Sequence, residues 1–339
     1  MNNILIKSVL YHKENTIDLI RITNDSDAYV EIMNYGAIII SIVVPNRNGK
    51  LENVALRYED YNNYLSNPHL LGATVGRVAN RISHASFTLN GIVYNLDKND
   101  GNNSIHGGFN GFHKKIYNYY VENGKLILYT MSKEGEGGFP GNMKFSVSYS
   151  FSNNNELFIE YKASADKTTP INFTNHSYFN LSGKNPRILE DELQVNAEMY
   201  IESNREFLPT GRILPVEGTA FDFRTYAQIA DKLKLKKDNL KGYNAYFVKR
   251  ENHKARNPLA SFRNVASGRV MDIYTSMPGI LIYTGDFLSK TFMPFEGICF
   301  EAQYHPDGVN HPEFNPNILS PGEIKTDNIK YHFYLCKHT

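Results

Sequence analysis

The sequence predicts an all-β sandwich, and three observations carry that prediction. Residues 144–152 alternate without a break, placing Phe145, Val147, Tyr149 and Phe151 on one face and serine or lysine on the other, the period of a half-buried strand. Three Asn-Gly pairs, Asn48-Gly49, Asn90-Gly91 and Asn123-Gly124, each lie between apolar or aromatic segments, where two adjacent positive-φ residues suit a type I′ hairpin turn. Sustained 3.6-residue periodicity is hard to find, and 23 Tyr with 20 Phe fit pleated surfaces better than helix interiors.

In chain order, Ile4-Leu5-Ile6 is apolar only briefly before Tyr11-His12-Lys13-Glu14-Asn15 turns polar, so no secretion signal is read and a cytoplasmic location is expected. The apolar run from Ala37 to Val44 is broken by Ser41 and falls far short of the roughly 18 apolar residues a spanning helix needs. Residues 116–122 and 125–132, rich in Tyr, Val, Ile and Leu, should pair across Asn123-Gly124. Gly135-Glu-Gly-Gly-Phe-Pro-Gly141 reads as a tight turn, since it is not GxGxxG and no helix pattern with Lys-Ser/Thr follows. The run Lys232-Leu-Lys-Leu-Lys-Lys237, flanked by Asp231 and Asp238 without interleaved aromatics, reads as a solvated face. His305, Asp307 and His311 match no metal-ligand spacing, and Pro306 and Gly308 make their segment a turn.

No linker, repeat or shift of composition divides the 339 residues, so residues 1–339 read as one domain. Lys+Arg 36 against Asp+Glu 35 leaves a formal charge of +1, without the positive field that draws phosphate backbones or anionic lipid, so neither nucleic acid nor a membrane is an expected partner. The 2 cysteines, Cys299 and Cys336, form no CxxC or Cys/His zinc spacing and imply no disulfide framework.

Three segments set His or Glu beside apolar strand sequence. Ser104-Ile-His-Gly-Gly108 has paired glycines that let a ligand or backbone approach His106. Residues 170–183 place His176 among Asn175, Ser177, Tyr178 and Asn180. Residues 297–308 carry Glu301 on an otherwise apolar strand beside Gln303, where a carboxylate is costly to desolvate unless it is paired. Taken singly, Glu301 facing solvent by strand alternation and His176 as an ordinary buried imidazole explain these residues as well. A fourth segment, residues 72–82, weakens that explanation: Arg77, Asn80 and Arg81 among small residues make a surface suited to hydroxyl oxygens rather than packing.

In these segments the chain resembles the aldose 1-epimerase, or galactose mutarotase, family. The resemblance runs in order through NYGA at 34–37, GRVANRI at 76–82, HGG at 106–108, NFTNHSYFNLSG at 172–183, PTG at 209–211, FDFR at 221–224 and FEAQYHPDGVNHPEF at 300–314. It implies a large antiparallel β supersandwich with an open sugar-binding cleft, no cofactor, no metal, and a small sugar as partner, a hexose first, bound by a monomer or homodimer. It also implies His176 as general acid and Glu301 as general base, with Asn80, Arg81, His106 and Tyr178 holding sugar hydroxyls and the ring oxygen. The residues alone leave open whether His106 or His176 lies nearer that oxygen. Opening a cyclic hemiacetal removes a proton from the C1 hydroxyl and delivers one to O5; rotation about C1–C2 and reclosure with roles reversed gives the other anomer. Ordinary pKa values of about 4.3 for Glu and about 6.5 for His suit an ionised base facing a protonated acid, and a negative Glu301 should favour the imidazolium.

The chain departs from the family at several sugar contacts. Asn244 stands where the family has Asp, which keeps an acceptor but loses charge-assisted strength. Leu281 stands for Gln and Asp286 for Asn, and the chain has no Trp, Tyr117 standing near one such contact. These changes leave the acid–base pair and open the preferred sugar: galactose, glucose, another hexose, a pentose or a disaccharide. Two other readings stay beside the epimerase: a non-catalytic sugar binder, motivated by Asn244 and Leu281, and a glycoside hydrolase or lyase. A hydrolase would need two opposed carboxylates, where only Glu301 lies in a site motif.

Overall fold

The computed structural model describes residues 3–184, 187–236 and 241–336. Within them every pairing between strands is antiparallel, as the hairpin turns predict. A five-stranded meander runs from Asn3–His12 to Leu51–Asn53. A nine-stranded sheet extends from Asn118–Glu122 at one edge to Ala227–Gln228 at the other, with Ile324–Leu335 in its middle. A six-stranded sheet takes the order Tyr178–Phe179, Ile298–Gln303, Gly279–Tyr283, Asn244–Val248, Met199–Ser203 and Pro209–Pro215.

Local sequence explains why these segments are strands. In Met143–Phe151 every second residue, Phe145, Val147, Tyr149 and Phe151 included, is buried, as its alternation predicts. Asn118–Glu122 pairs with Lys125–Ser132 so that Glu122 faces Lys125, and the intervening Asn123 and Gly124 take φ of 50° and 75°, as a type I′ turn requires. Asn90-Gly91 does the same between Ser86–Leu89 and Ile92–Asn95. Asn48-Gly49 departs from the expectation: the strands still pair, but only Gly49 has positive φ. There the Asn46 side chain accepts from the backbone N–H groups of Asn48 and Lys50, and this local bonding holds a longer loop in place of a two-residue turn.

The main core lies between the six- and nine-stranded sheets. Ala245, Phe247, Ile280, Ile282, Ile298, Phe300 and Ala302 from one sheet pack with Phe145, Tyr161, Met271, Ile329 and Tyr331 from the other in one cluster. The intervening residues of the same strands, Tyr246, Leu281, Tyr283 and Cys299, belong to a second cluster with Ile38 and Ile40 of the meander. The six-stranded sheet is therefore packed on both faces. The single α-helix among the described residues, Ile229–Leu233, begins the basic segment, and Lys234 there pairs with Asp231 at 2.8 Å; Lys237 and Asp238 lie outside the described residues. Among the described residues, no helix is long and apolar enough to cross a membrane.

Candidate active site

Strand alternation places the carboxylate. In Ile298–Gln303 the residues Ile298, Phe300 and Ala302 enter the main core, which turns Cys299, Glu301 and Gln303 to the opposite face. Glu301 pairs across the sheet with Leu281, and Leu281 in turn with Tyr246, so an apolar row flanks it. It is only 2% exposed, so the solvent-facing reading does not hold.

His176 sits between two short strands that tie it to different parts of the molecule. Thr174–Asn175 pairs with Thr74–Val75, and Tyr178–Phe179 pairs with Ile298 and Cys299. The His176 backbone N–H donates to Ala73, and its carbonyl accepts from Gly72. Gly72 has φ of 68°, and a Cβ there would collide with the Ile39 carbonyl, so glycine is what lets the two segments meet. The result brings His176 Nε2 within 3.7 Å of Glu301 Oε1. The second carboxylate oxygen has no hydrogen-bond partner.

Pairing of Arg81–Ile82 with Ser104–Ile105 delivers the remaining polar groups. His106 follows directly and lies edge-on to His176, ring centroids 5.5 Å apart. The Asn80 backbone N–H donates to His106 Nδ1, so the neutral ring carries its proton on Nε2. Asn80 Oδ1 accepts from the Arg81 amide, leaving its side-chain NH2 as the donor. Arg81 is held by Asp100 at 2.7 Å and lies 5.2 Å from the Phe207 ring, which itself meets Phe287 edge to face. Tyr178 stacks obliquely beside His176, ring centroids 5.2 Å apart. Asn244 lies in the row of Tyr283 and Cys299, on the same face as Leu281 but farther from Glu301.

The electrostatics differ from expectation. Burial pushes Glu301 up to about 8, only partly opposed by the Arg81 charge, and pushes His176 down to about 4. Burial also holds His106 well below the ordinary imidazole range, with the charges of His176 and Arg81 adding to it. The expected carboxylate–imidazolium pair is thus replaced, in the free site, by a protonated Glu301 facing a neutral His176. Desolvation outweighs the attraction that a charged pair would gain.

Several predicted residues lie elsewhere. Arg77 is no hydroxyl contact: it is buried and donates to Ser132 and to the carbonyls of Ser132, Lys133, Pro140 and Gly141. Tyr117 is a core residue whose hydroxyl donates to the Phe112 carbonyl. His305 stacks on Phe314, and Asp307 accepts from the Ser83 backbone N–H and the Asn310 side chain. Cys299 was missed as a site residue, although its place two positions before Glu301 puts it on the same face by strand period.

His106, His176 and Glu301 each offer one ligand atom, all within 4.8 Å of one another, which is the composition of a zinc site. A ligating imidazole donates its second N–H to an acceptor. His106 is bonded in the opposite sense, its Nδ1 accepting from the Asn80 backbone N–H. The three side chains fit a hydrogen-bonding set around a polar molecule.

The site is an imidazole and a carboxyl facing one another on an antiparallel sandwich, with hydrogen-bond donors around them. The aldose 1-epimerase family model matches residues 18–332, and this chain belongs to that family. It is 40% identical to galactose mutarotase of Mus musculus over 303 residues, 87% of each chain, and 31% identical to aldose 1-epimerase of Escherichia coli over 327 residues, 93% of this chain and 94% of that one. Among solved structures, the aldose epimerase homologue of C. elegans superposes with a TM-score of 0.89 at 28% identity, covering 94% of this chain and 99% of that one. Galactose 1-epimerase of Lactobacillus acidophilus gives 0.87 at 27% identity, covering 99% and 100%. The chain is accordingly a carbohydrate isomerase.

Proposed function

We propose that this enzyme interconverts the α and β anomers of a hexose, galactose or glucose first, with Glu301 as base and His176 as acid. The 3.7 Å approach of His176 Nε2 to Glu301 Oε1 carries the reading, because a C1 hydroxyl and the adjacent ring oxygen need two such groups side by side. His106 Nε2–H, the Asn80 amide and the Arg81 guanidinium supply donors for hydroxyl and ring oxygens. Tyr178 lines the floor with its ring, and Asn244 supplies a neutral contact at the far end. The Glu301 cluster contains no second carboxylate among the described residues, so two-carboxylate hydrolysis has no counterpart there.

The proton count explains how burial and catalysis agree. Ring opening moves one proton from the C1 hydroxyl to Glu301 and another from His176 to O5. The open-chain stage therefore holds a protonated Glu301 and a neutral His176, the form that burial favours in the free site. The cyclic sugar requires the same single proton on His176, a shift inside the pair that changes no net charge. Catalysis alternates between the two placements.

Freshly dissolved α-D-galactose, α-D-glucose and a panel of pentoses and disaccharides, followed by polarimetry or NMR, test the assignment. At least one hexose should equilibrate faster than in buffer. The kcat/KM should form a plateau, falling below about 4, where both groups are protonated, and above about 8, where the pair has lost its proton. If no sugar is accelerated, the binder reading replaces this one.

A further inference from the structure

The acid assigned above has a second ring nitrogen, and the structure sets a thiol beside it. Cys299 Sγ lies 3.6 Å from His176 Nδ1. Cys299 is fully buried and pairs in register with Tyr178. Tyr178, Cys299 and His176 thus lie together, Cys299 beside the ring nitrogen that faces away from Glu301. Burial, reinforced by the Glu301 charge, holds the thiol protonated far above its ordinary range, which makes it a poor nucleophile and a stable S–H.

We propose that Cys299 is a positioning residue for the epimerisation, its thiol holding Nδ1 of His176 so that Nε2 stays turned to Glu301 and the sugar. The proposal rests on His176 being the acid. A thiol is a weak acceptor, so it serves the ring at each stage. The neutral ring carries its proton on Nδ1 and donates it to sulfur, which leaves Nε2 bare to take the proton of Glu301. When the imidazolium has formed, Nδ1–H donates to sulfur, and it continues to do so after Nε2 has delivered its proton to O5. Sulfur keeps its own proton throughout, and no bond to it forms or breaks. A carboxylate in this position would stabilise the imidazolium and hold the proton back; the weak sulfur contact orients the ring without that penalty.

The test uses the full-length enzyme with C299A, C299S and H176N. C299A should lower kcat about 10-fold or more with KM changed less than about 2-fold, the scale of losing an outer hydrogen-bond partner. C299S should restore kcat to within about 3-fold and move the acidic limb of kcat/KM upward, because oxygen is the stronger acceptor for Nδ1–H. Wild-type kcat and pH profile in C299A overturn the proposal. Equal impairment of C299A and C299S with an unmoved acidic limb also overturns it, since the side chain then only fills space. If C299A fails to fold, the limb of C299S decides alone: an upward shift supports the proposal and an unmoved limb sinks it. Full activity in H176N would instead remove the acid assignment, independently of Cys299.

Discussion

At Glu301, strand period and the absence of a bonded lysine or arginine among the described residues act together. Alternation turns the side chain away from the main core, yet Leu281 directly opposite and Tyr246 beyond it keep water off that face as well. Arg81 helps only through its charge, its Nε being bonded to Asp100. The carboxyl is therefore more basic than an imidazole normally is, which suits its proposed role of taking and returning a proton near neutral pH. Replacing either proton carrier while keeping shape isolates this chemistry: E301Q and H176N should each lower kcat by about 10²–10⁴-fold in a coupled or polarimetric assay. Circular dichroism should be unchanged, and substantial activity in either variant would remove that residue from the mechanism. Leu281 offers a finer test. Cross-strand neighbours stand about 5 Å apart at Cβ, so L281Q places an amide donor beside Glu301. The basic limb of kcat/KM should move below about 8, whereas an unmoved limb would mean that the apolar row does not set the basicity.

Among the elements, the strands were legible where one face is core and the other wet, as in Met143–Phe151, and where a two-residue turn ties neighbours together, as at Asn123-Gly124. The segments that position the acid were not. Thr74–Val75 and Thr174–Asn175 are two-residue strands joined across about a hundred residues, and no local period announces such a contact. Arg77 was misread for a related reason: sequence shows its charge but not the four residues, Ser132, Lys133, Pro140 and Gly141, that occupy it. His176 and Glu301 were singled out because polar groups inside apolar strand sequence demand a partner, but only the fold shows that each is the other's. Gly72 is the hinge point of this arrangement, accepting from Ile39 and Asn175 and donating to the His176 carbonyl. G72A forces a Cβ into the Ile39 carbonyl at positive φ and should cost about 2 kcal/mol or more in denaturant unfolding. Because His176 moves with it, kcat should fall too; wild-type stability and activity together would show that the two segments do not depend on this approach.

For the molecule as a whole, burying acid–base groups without charged partners makes stability depend on pH in a way that differs from the catalytic profile. His113, His176 and His305 are each held at about 4 by burial, so between about 4 and the ordinary value of about 6.5 the unfolded chain binds the extra protons and stability rises with pH. Glu301 and Asp191 act in the opposite direction. Burial raises them to about 8 and about 7, so their contribution is complete below the ordinary carboxylate range and is lost as pH rises through those values. Above about 6.5 these histidines no longer contribute a slope, and the two carboxyls leave stability falling until about 8. The melting temperature should therefore peak near pH 6.5 and be about 2 °C or more lower at pH 8.5, since each pH unit over which one such proton is retained weighs about 1.4 kcal/mol at most. E301Q, which carries no ionisable proton, should lose much of that fall and melt higher than the wild-type enzyme at pH 8.5 while remaining inactive. Equal melting of the two at pH 8.5, with the wild-type fall intact, would show that the buried carboxyl is solvated in the folded enzyme and that its basicity has another source.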